Sequence, residues 1–252
     1  MWSDVVDLRD FYATSLGQVA RHLIRRQIRL FWPDLRGRSL IGLGYAAPYL
    51  RQFSAEAEQV CALMPAAQGV IHWPAEGPYV STLVDETELP LQSFSVDRVL
   101  MVHCLEHGDP LHSMLEEVWR VLAGDGRLLV VVPNRRGVWA RMERTPFASG
   151  HPYSQSQLLR LLRQHRFTPQ RHAGALFLPP TRSRPLLASA AAWERIGARW
   201  FPRLAGAVIV EASKQLYAGT RVHATVRRRR SLALPLPAVP RPTHRDAGED
   251  WV

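Results

Sequence analysis

The stretch from Asp85 to Asn134 constrains the fold of this chain more than any other. An apolar run, Val96 to Val102, follows polar turn residues and leads into His103, Glu106 and His107. A segment with helical period, Pro110 to Leu122, comes next. After the turn Gly124-Asp125-Gly126, a second apolar run, Arg127 to Val132, stops at Pro133-Asn134. Two apolar runs of strand length joined by an amphipathic segment predict parallel strands with a crossover helix.

The same alternation extends to both sides. Upstream, strands are expected at Arg38 to Leu43, Gln59 to Met64 and Pro78 to Leu83, with a helix from the end of the first to about Glu58. Downstream, a helix over Tyr153 to His165 with Ser154 as N-cap, a strand within Phe167 to Leu178, a helix over Ala188 to Phe201 and a last strand over Ala207 to Tyr217 follow. On the last helix Trp193, Ile196 and Trp200 fall on one side. The expectation is an α/β fold, a doubly wound and mostly parallel seven-stranded sheet.

Residues 4–31 read as one helix. Val5, Leu8, Phe11, Tyr12, Leu16, Val19, Leu23 and Ile28 keep a 3.6-residue period, and Arg21, Arg25 and Arg29 stripe another face. Such a helix serves as a lid, as a membrane-surface element, or simply as a packed helix with a solvated basic face. The organisation expected is an N-terminal helix over 1–36, a domain over 37–222 and a basic, proline-rich flexible tail over 223–252. That tail opens on Arg227 to Arg230.

The formal charge is +10, carried almost wholly by arginine, because lysine occurs once, at Lys214. Arginine, alanine, leucine and proline are all abundant, as GC-rich coding produces, so the charge alone is weak support for a nucleic-acid partner. Cys61 and Cys104 sit in strand-like runs and read as small core residues. No apolar run approaches the roughly 18 residues of a membrane span. The N-terminal segment does not read as a secretory signal, and a cytoplasmic location is the simplest expectation. The histidines lack ligand spacing with cysteines or carboxylates, so no metal site is expected.

The acidic residue before Leu89-Pro90, the Ser93-Phe94-Ser95-Val96-Asp97-Arg98-Val99 entry, the Leu105-Glu106-His107 exit and the run from Glu116 to Asn134 together resemble S-adenosylmethionine-dependent methyltransferases of the ubiquinone-biosynthesis type. The resemblance covers about Arg38 to Asn134. It implies S-adenosylmethionine as cofactor and methyl transfer to an acceptor, more readily a small molecule than a nucleic acid. It also implies a cofactor turn at Gly42, Leu43, Gly44, Tyr45 and Ala46, a ribose position at Met64, an adenine loop at Asp85 and Glu86, and a cofactor contact at His103. The acceptor side falls to His107, Glu106 and Tyr153, with His107 or Glu106 as base. Between Asn134 and Tyr153, Trp139, Arg141, Phe147 and His151 suit a loop over an acceptor.

Four positions depart from the family pattern. Gly42 stands where an acidic residue is usual, Ala46 and Pro48 replace glycines, and Met64-Pro65 ends a strand that usually ends in Asp or Glu. Pro48 is compatible only with the start of a helix. Two missing charged hydrogen bonds, each worth about 1.5–3 kcal/mol, weaken cofactor binding by roughly a hundredfold or more unless Tyr45, backbone groups, Glu56 or Glu58 compensate. The alternative to an enzyme is therefore a methyltransferase-like binding or scaffold protein. A dehydrogenase is disfavoured by the incomplete glycine pattern and the missing acid after the second strand. A base-amine methyltransferase is disfavoured because no Asn-Pro-Pro-aromatic motif follows the fourth strand.

Overall fold

A computed structural model describes residues 4–74, 80–107 and 110–216; the expected tail and its arginine run lie outside them. Seven strands form one sheet: β1 (Ser39–Gly44), β2 (Gln59–Pro65), β3 (Ser81–Val84), β4 (Val96–Val102), β5 (Leu122–Pro133), β6 (Phe167–Ala175) and β7 (Ala207–Lys214). Their order is β3-β2-β1-β4-β5-β7-β6. The first five are parallel, and β7 inserts antiparallel between β5 and β6.

Alternation along the strands divides the core in two. Leu40, Leu100, Val102, Leu129 and Val131 face one layer, and Ile41, Leu43, Val99, Met101, Leu128 and Val130 face the other. The first layer holds α1 (Val5–Ala13), α2 (Ser15–Phe31), α3 (Ala47–Leu50), α6 (Arg184–Ala188) and α7 (Ala190–Trp200). The second holds α4 (Leu111–Val121) and α5 (Gln155–Gln164). Central strands buried on both sides explain why their sequences are nearly continuous apolar runs.

The single N-terminal helix is replaced by two. Thr14 adopts an extended backbone, and its hydroxyl accepts from Gly17 N–H at 3.1 Å, which starts α2 afresh. Gly17 is needed there because a Cβ would lie 2.7 Å from Tyr12 Cα. The basic face of α2 is partly engaged: Arg29 bonds Glu56 at 2.6 Å and the Gln52 carbonyl at 2.5 Å. Its apolar face is core, with Ala20, Leu23, Ile24 and Ile28 buried.

The helix expected to run to Glu58 is much shorter. α3 has four residues, and a 3-10 turn over Arg51–Phe53 follows. Pro48 stands in its first turn, the one place where the missing N–H costs nothing. The helix expected over Ala188 to Phe201 is α7, and the short α6 precedes it across Ser189. Ser154 caps α5 reciprocally with Gln157, as its spacing predicts. The single lysine is buried: Lys214 Nζ donates to the Leu122 carbonyl at 2.6 Å and lies over the Phe94 and Trp119 rings.

Candidate functional site

In an open parallel sheet the ligand crevice lies beyond the carboxyl ends of the strands where the winding reverses, here between β1 and β4. Gly44 ends β1 with φ +78°. A Cβ there would stand 2.6 Å from the Val102 carbonyl and 2.7 Å from Cys104 Cβ. Tyr45 N–H donates to that same carbonyl at 2.8 Å. The glycine thus lets the exit of β4 close tightly onto the tip of β1.

Gly42 has an equally local cause. A Cβ at that position would lie 2.7 Å from Ala46 Cβ and 2.8 Å from Leu50 Cδ1. α3 packs directly on residue 42, so no carboxylate fits there. Met64 is fully buried, and its sulfur accepts from Ile71 N–H at 3.4 Å. Of the substitutes considered for the missing acids, Glu56 is committed to Arg29. Asp85 is exposed and folds into a turn with Thr87, whose N–H and hydroxyl donate to it at 2.8 and 2.6 Å. Those bonds hold its carboxyl below the ordinary value. Glu86 beside it is half-buried.

α1 lies across the crevice. Val5 N–H donates to the Gln68 carbonyl at 2.8 Å, on the loop after β2. Seven residues later Tyr12 reaches His103, just past β4. Seven helical residues advance roughly 10 Å, about two strand spacings, the distance from β2 over β1 to β4. The Tyr12 ring stacks on Tyr45 at 5.5 Å with 14° between planes. Both rings are buried, at 3% and 2% exposure.

A directional run of hydrogen bonds fixes this arrangement. Tyr49 Oη–H donates to Tyr12 Oη at 3.0 Å. Tyr12 Oη and His103 Nε2 are 2.8 Å apart, and His103 Nδ1 and Glu106 Oε1 are also 2.8 Å apart. With Nδ1–H donating to Glu106, Nε2 accepts from Tyr12 Oη–H, so every member has a consistent role. Burial raises the Tyr12 and Tyr49 phenols well above their ordinary value and Tyr45 to about 12, so all three remain neutral donors. His103 itself holds a left-handed backbone, φ 48°, with its carbonyl bound by Gln68 Nε2 at 2.8 Å. Phe147 closes the other side of its ring at 5.0 Å.

Three buried polar atoms here have no partner: Gln68 Oε1, Glu106 Oε2 and His107 Nε2. Buried acceptors without partners are costly and mark sites that a ligand or water completes. The stacked Tyr12 and Tyr45 rings occupy the space between the tips of β1 and β4.

The residues expected on the acceptor side separate. Glu106 is held to His103, and its carbonyl accepts from His151 N–H at 2.9 Å. Tyr153 lines a cleft of about 790 Å³ with Arg135, His151 and Arg160, its hydroxyl 3.4 Å from the Leu105 carbonyl. Trp139 and Phe147 belong to the core, Trp139 Nε1–H donating to the Leu178 carbonyl at 2.7 Å. On the far side of α1 a larger cleft, about 1030 Å³, lies between Asp10, Phe11 and Leu16 and the segments holding Met142, Arg144 and Leu187. Sequence reasoning missed Tyr12 and Gln68; the period of α1 marks Tyr12 as inward-facing, and Gln68 carries no signal of its own.

Burial pushes the His107 imidazole below its ordinary 6.5, against a pull upward from Glu106. A base depressed in the folded state takes its proton first in the unfolded chain. Its contribution to stability is present above about pH 6.5 and is lost as pH falls below it. Thermal melting should therefore drop as pH is lowered from about 7 to 5, and His107→Gln should flatten that drop.

Residues 41–130, about a third of the chain, match the family model described as "Methyltransferase domain". No curated protein matches the sequence. Among solved structures, an S-adenosylmethionine-dependent methyltransferase of Thermotoga maritima aligns with 84% of this chain and 96% of its own at 15% identity and TM-score 0.59. One from Mesorhizobium loti aligns over 80% and 99% at 12% identity and TM-score 0.55. The [4+2]-cyclase SpnF aligns over 81% and 85% at 18% identity and TM-score 0.56. The segment from β1 into β5 thus carries a methyltransferase-domain signature, on a Rossmann-like fold that S-adenosylmethionine-dependent methyltransferases share.

Proposed function

We propose that this chain is an S-adenosylmethionine-dependent methyltransferase acting on a small molecule, and that the arrangement described is its covered state. The observation that carries this reading is that the methyltransferase-domain match spans the strands whose tips frame the crevice, and that a single helix, α1, covers it. Gln68, whose backbone carbonyl accepts from Val5 of that helix, has an unpartnered side-chain oxygen. With α1 withdrawn, the turn at Gly44, Tyr45 and Ala46 faces the amino-acid end of the cofactor. Gln68 Oε1, just past β2, stands in for the acid absent at Met64. Asp85 or Glu86 accepts from the adenine amine, and His103 borders the nucleoside. The cofactor, when bound, supplies a methyl group on a positively charged sulfur.

The chain's own residues do the rest. His107, neutral at pH 7, takes a proton from an oxygen or nitrogen acceptor, while Glu106 holds His103 in one tautomer. Arg135 and Tyr153 border the adjoining cleft and suit an acceptor with an anionic or polar group.

A second reading, a methyltransferase-like binding protein without turnover, is favoured by one specific observation: Tyr12 fills the crevice while Gly42 and Met64 offer no carboxylate. Calorimetric titration with S-adenosylhomocysteine separates the two. If opening of α1 limits binding, Tyr12→Ala should bind about tenfold more tightly than the unaltered chain, since apparent affinity scales with the open fraction. Folding of the variant is checked by circular dichroism. No heat from either protein at roughly millimolar ligand rejects the cofactor and leaves the second reading.

A further inference from the structure

α7 buries one narrow stripe. Ala190, Glu194 and Gly197 face inward, with Phe177 packed against Gly197 and its N–H donating to Glu194 at 2.7 Å. One flank of the helix is apolar and open, with Trp193, Ile196 and Trp200 38, 53 and 69% exposed, and Arg195 and Arg199 occupy the outward face beside it. Phe201 and Leu204, just beyond the helix, and Leu186 on α6 are exposed as well.

Along residues 180–205 the exposed charges have one sign, while Asp7 and Asp10 of α1 share a cleft with Arg182 and Leu187 at the start of this segment. Arg182, Arg184, Arg195, Arg199 and Arg203 are all exposed. Glu194, the sole acid between residues 180 and 205, is turned into the protein. On the other flank of α7, Ala190 and Ala191 share a groove with His22 and Arg26 of α2. Isolated exposed apolar residues are ordinary, but a contiguous stripe with two tryptophans beside exposed arginines is not.

We propose that α6, α7 and the turn through Leu204 form a docking surface for a bilayer carrying anionic headgroups. Tryptophan suits the boundary between headgroup and acyl chain, where its ring is shielded and its N–H remains wet. Arginine reaches outward from the same level to lipid phosphates. A nucleic acid would use the arginines and leave Ile196 and Leu204 in water. The formal charge of +10 adds long-range attraction to an anionic surface. The surface stands apart from the crevice and does not depend on methyl transfer.

Co-sedimentation of the full chain with vesicles tests it. The chain should pellet with equimolar phosphatidylcholine and phosphatidylglycerol and stay in solution with phosphatidylcholine alone. Trp193→Ser/Trp200→Ser and Arg195→Glu/Arg199→Glu alter exposed side chains, so both should fold, and each should weaken partitioning by roughly tenfold or more. Tryptophan fluorescence of the unaltered chain should shift to the blue on binding. Equal partitioning of all three proteins overturns the proposal, because the arginine run at 227–230 would then carry the binding. It is also overturned if the unaltered chain ignores anionic vesicles, or if sedimentation shows a dimer that the tryptophan variant dissociates.

Discussion

Glu211→Ala should destabilise the fold by about 3 kcal/mol, read as a lower urea midpoint with an unchanged slope. Glu211 lies on β7 and is 1% exposed. One oxygen accepts from Trp32 Nε1–H at 3.0 Å, and the other pairs with Arg171 at 2.9 Å and Arg127 at 3.4 Å. A single carboxylate thus ties the end of α2 to β5, β6 and β7. Its removal leaves a buried indole N–H without an acceptor and two guanidiniums without a counter-charge. The guanidiniums are about half exposed, at 53 and 42%, so water compensates them in part. That is why the expected cost sits at the low end for breaking a buried ion pair, roughly 3–5 kcal/mol. Glu211→Gln keeps the acceptor for Trp32 and should cost about 1–2 kcal/mol. Equal losses for the two variants would mean that charge dominates and the indole bond contributes little.

Most strands of this protein were legible because their chemistry is local and repetitive, but β5 begins at Leu122 and takes in Gly124 to Gly126, which read as a turn. Val96 to Val102 is bounded as expected, since an apolar run between a turn and a charged cluster leaves no other element available. The helices at the sheet edges were less legible. Thr14 interrupts a faultless helical period because its hydroxyl caps the next helix, a choice that period alone does not register. α3 ends after four residues although nothing in its composition forbids more.

The site divides along the same line. That the turn after β1 and the exit of β4 adjoin follows from strand order, and strand order follows from the alternation of elements. What fills the space between them does not. Tyr12 and His103 are 91 positions apart, and their contact depends on the angle at which α1 crosses the sheet. Gly42 illustrates the converse. As a departure from a family pattern it reads as a lost carboxylate; in the fold it is the clearance that lets Ala46 and Leu50 approach. The same residue is an absence in one description and a packing requirement in the other.

Gly44→Val should cost at least about 3 kcal/mol and should leave much of the protein insoluble on expression. Two penalties add. A β-branched residue at φ +78° sits in a backbone region that costs roughly 1–3 kcal/mol. Its Cβ would also lie 2.6 Å from a backbone carbonyl, Val102 O, which cannot swing aside as a side chain does. The strain relaxes only if the exit of β4 lifts from β1. That movement breaks the Tyr45–Val102 hydrogen bond and shifts His103, which follows immediately. α1 is anchored to His103 through Tyr12, so the damage should spread to the start of the chain. Limited proteolysis of the soluble fraction should accordingly show early cleavage within residues 4–14, before any loss of the β5–β7 pairing. If Gly44→Val instead melts within about 1 kcal/mol of the unaltered chain, the close approach of β4 to β1 is wrong, and the covering of the crevice by α1 falls with it.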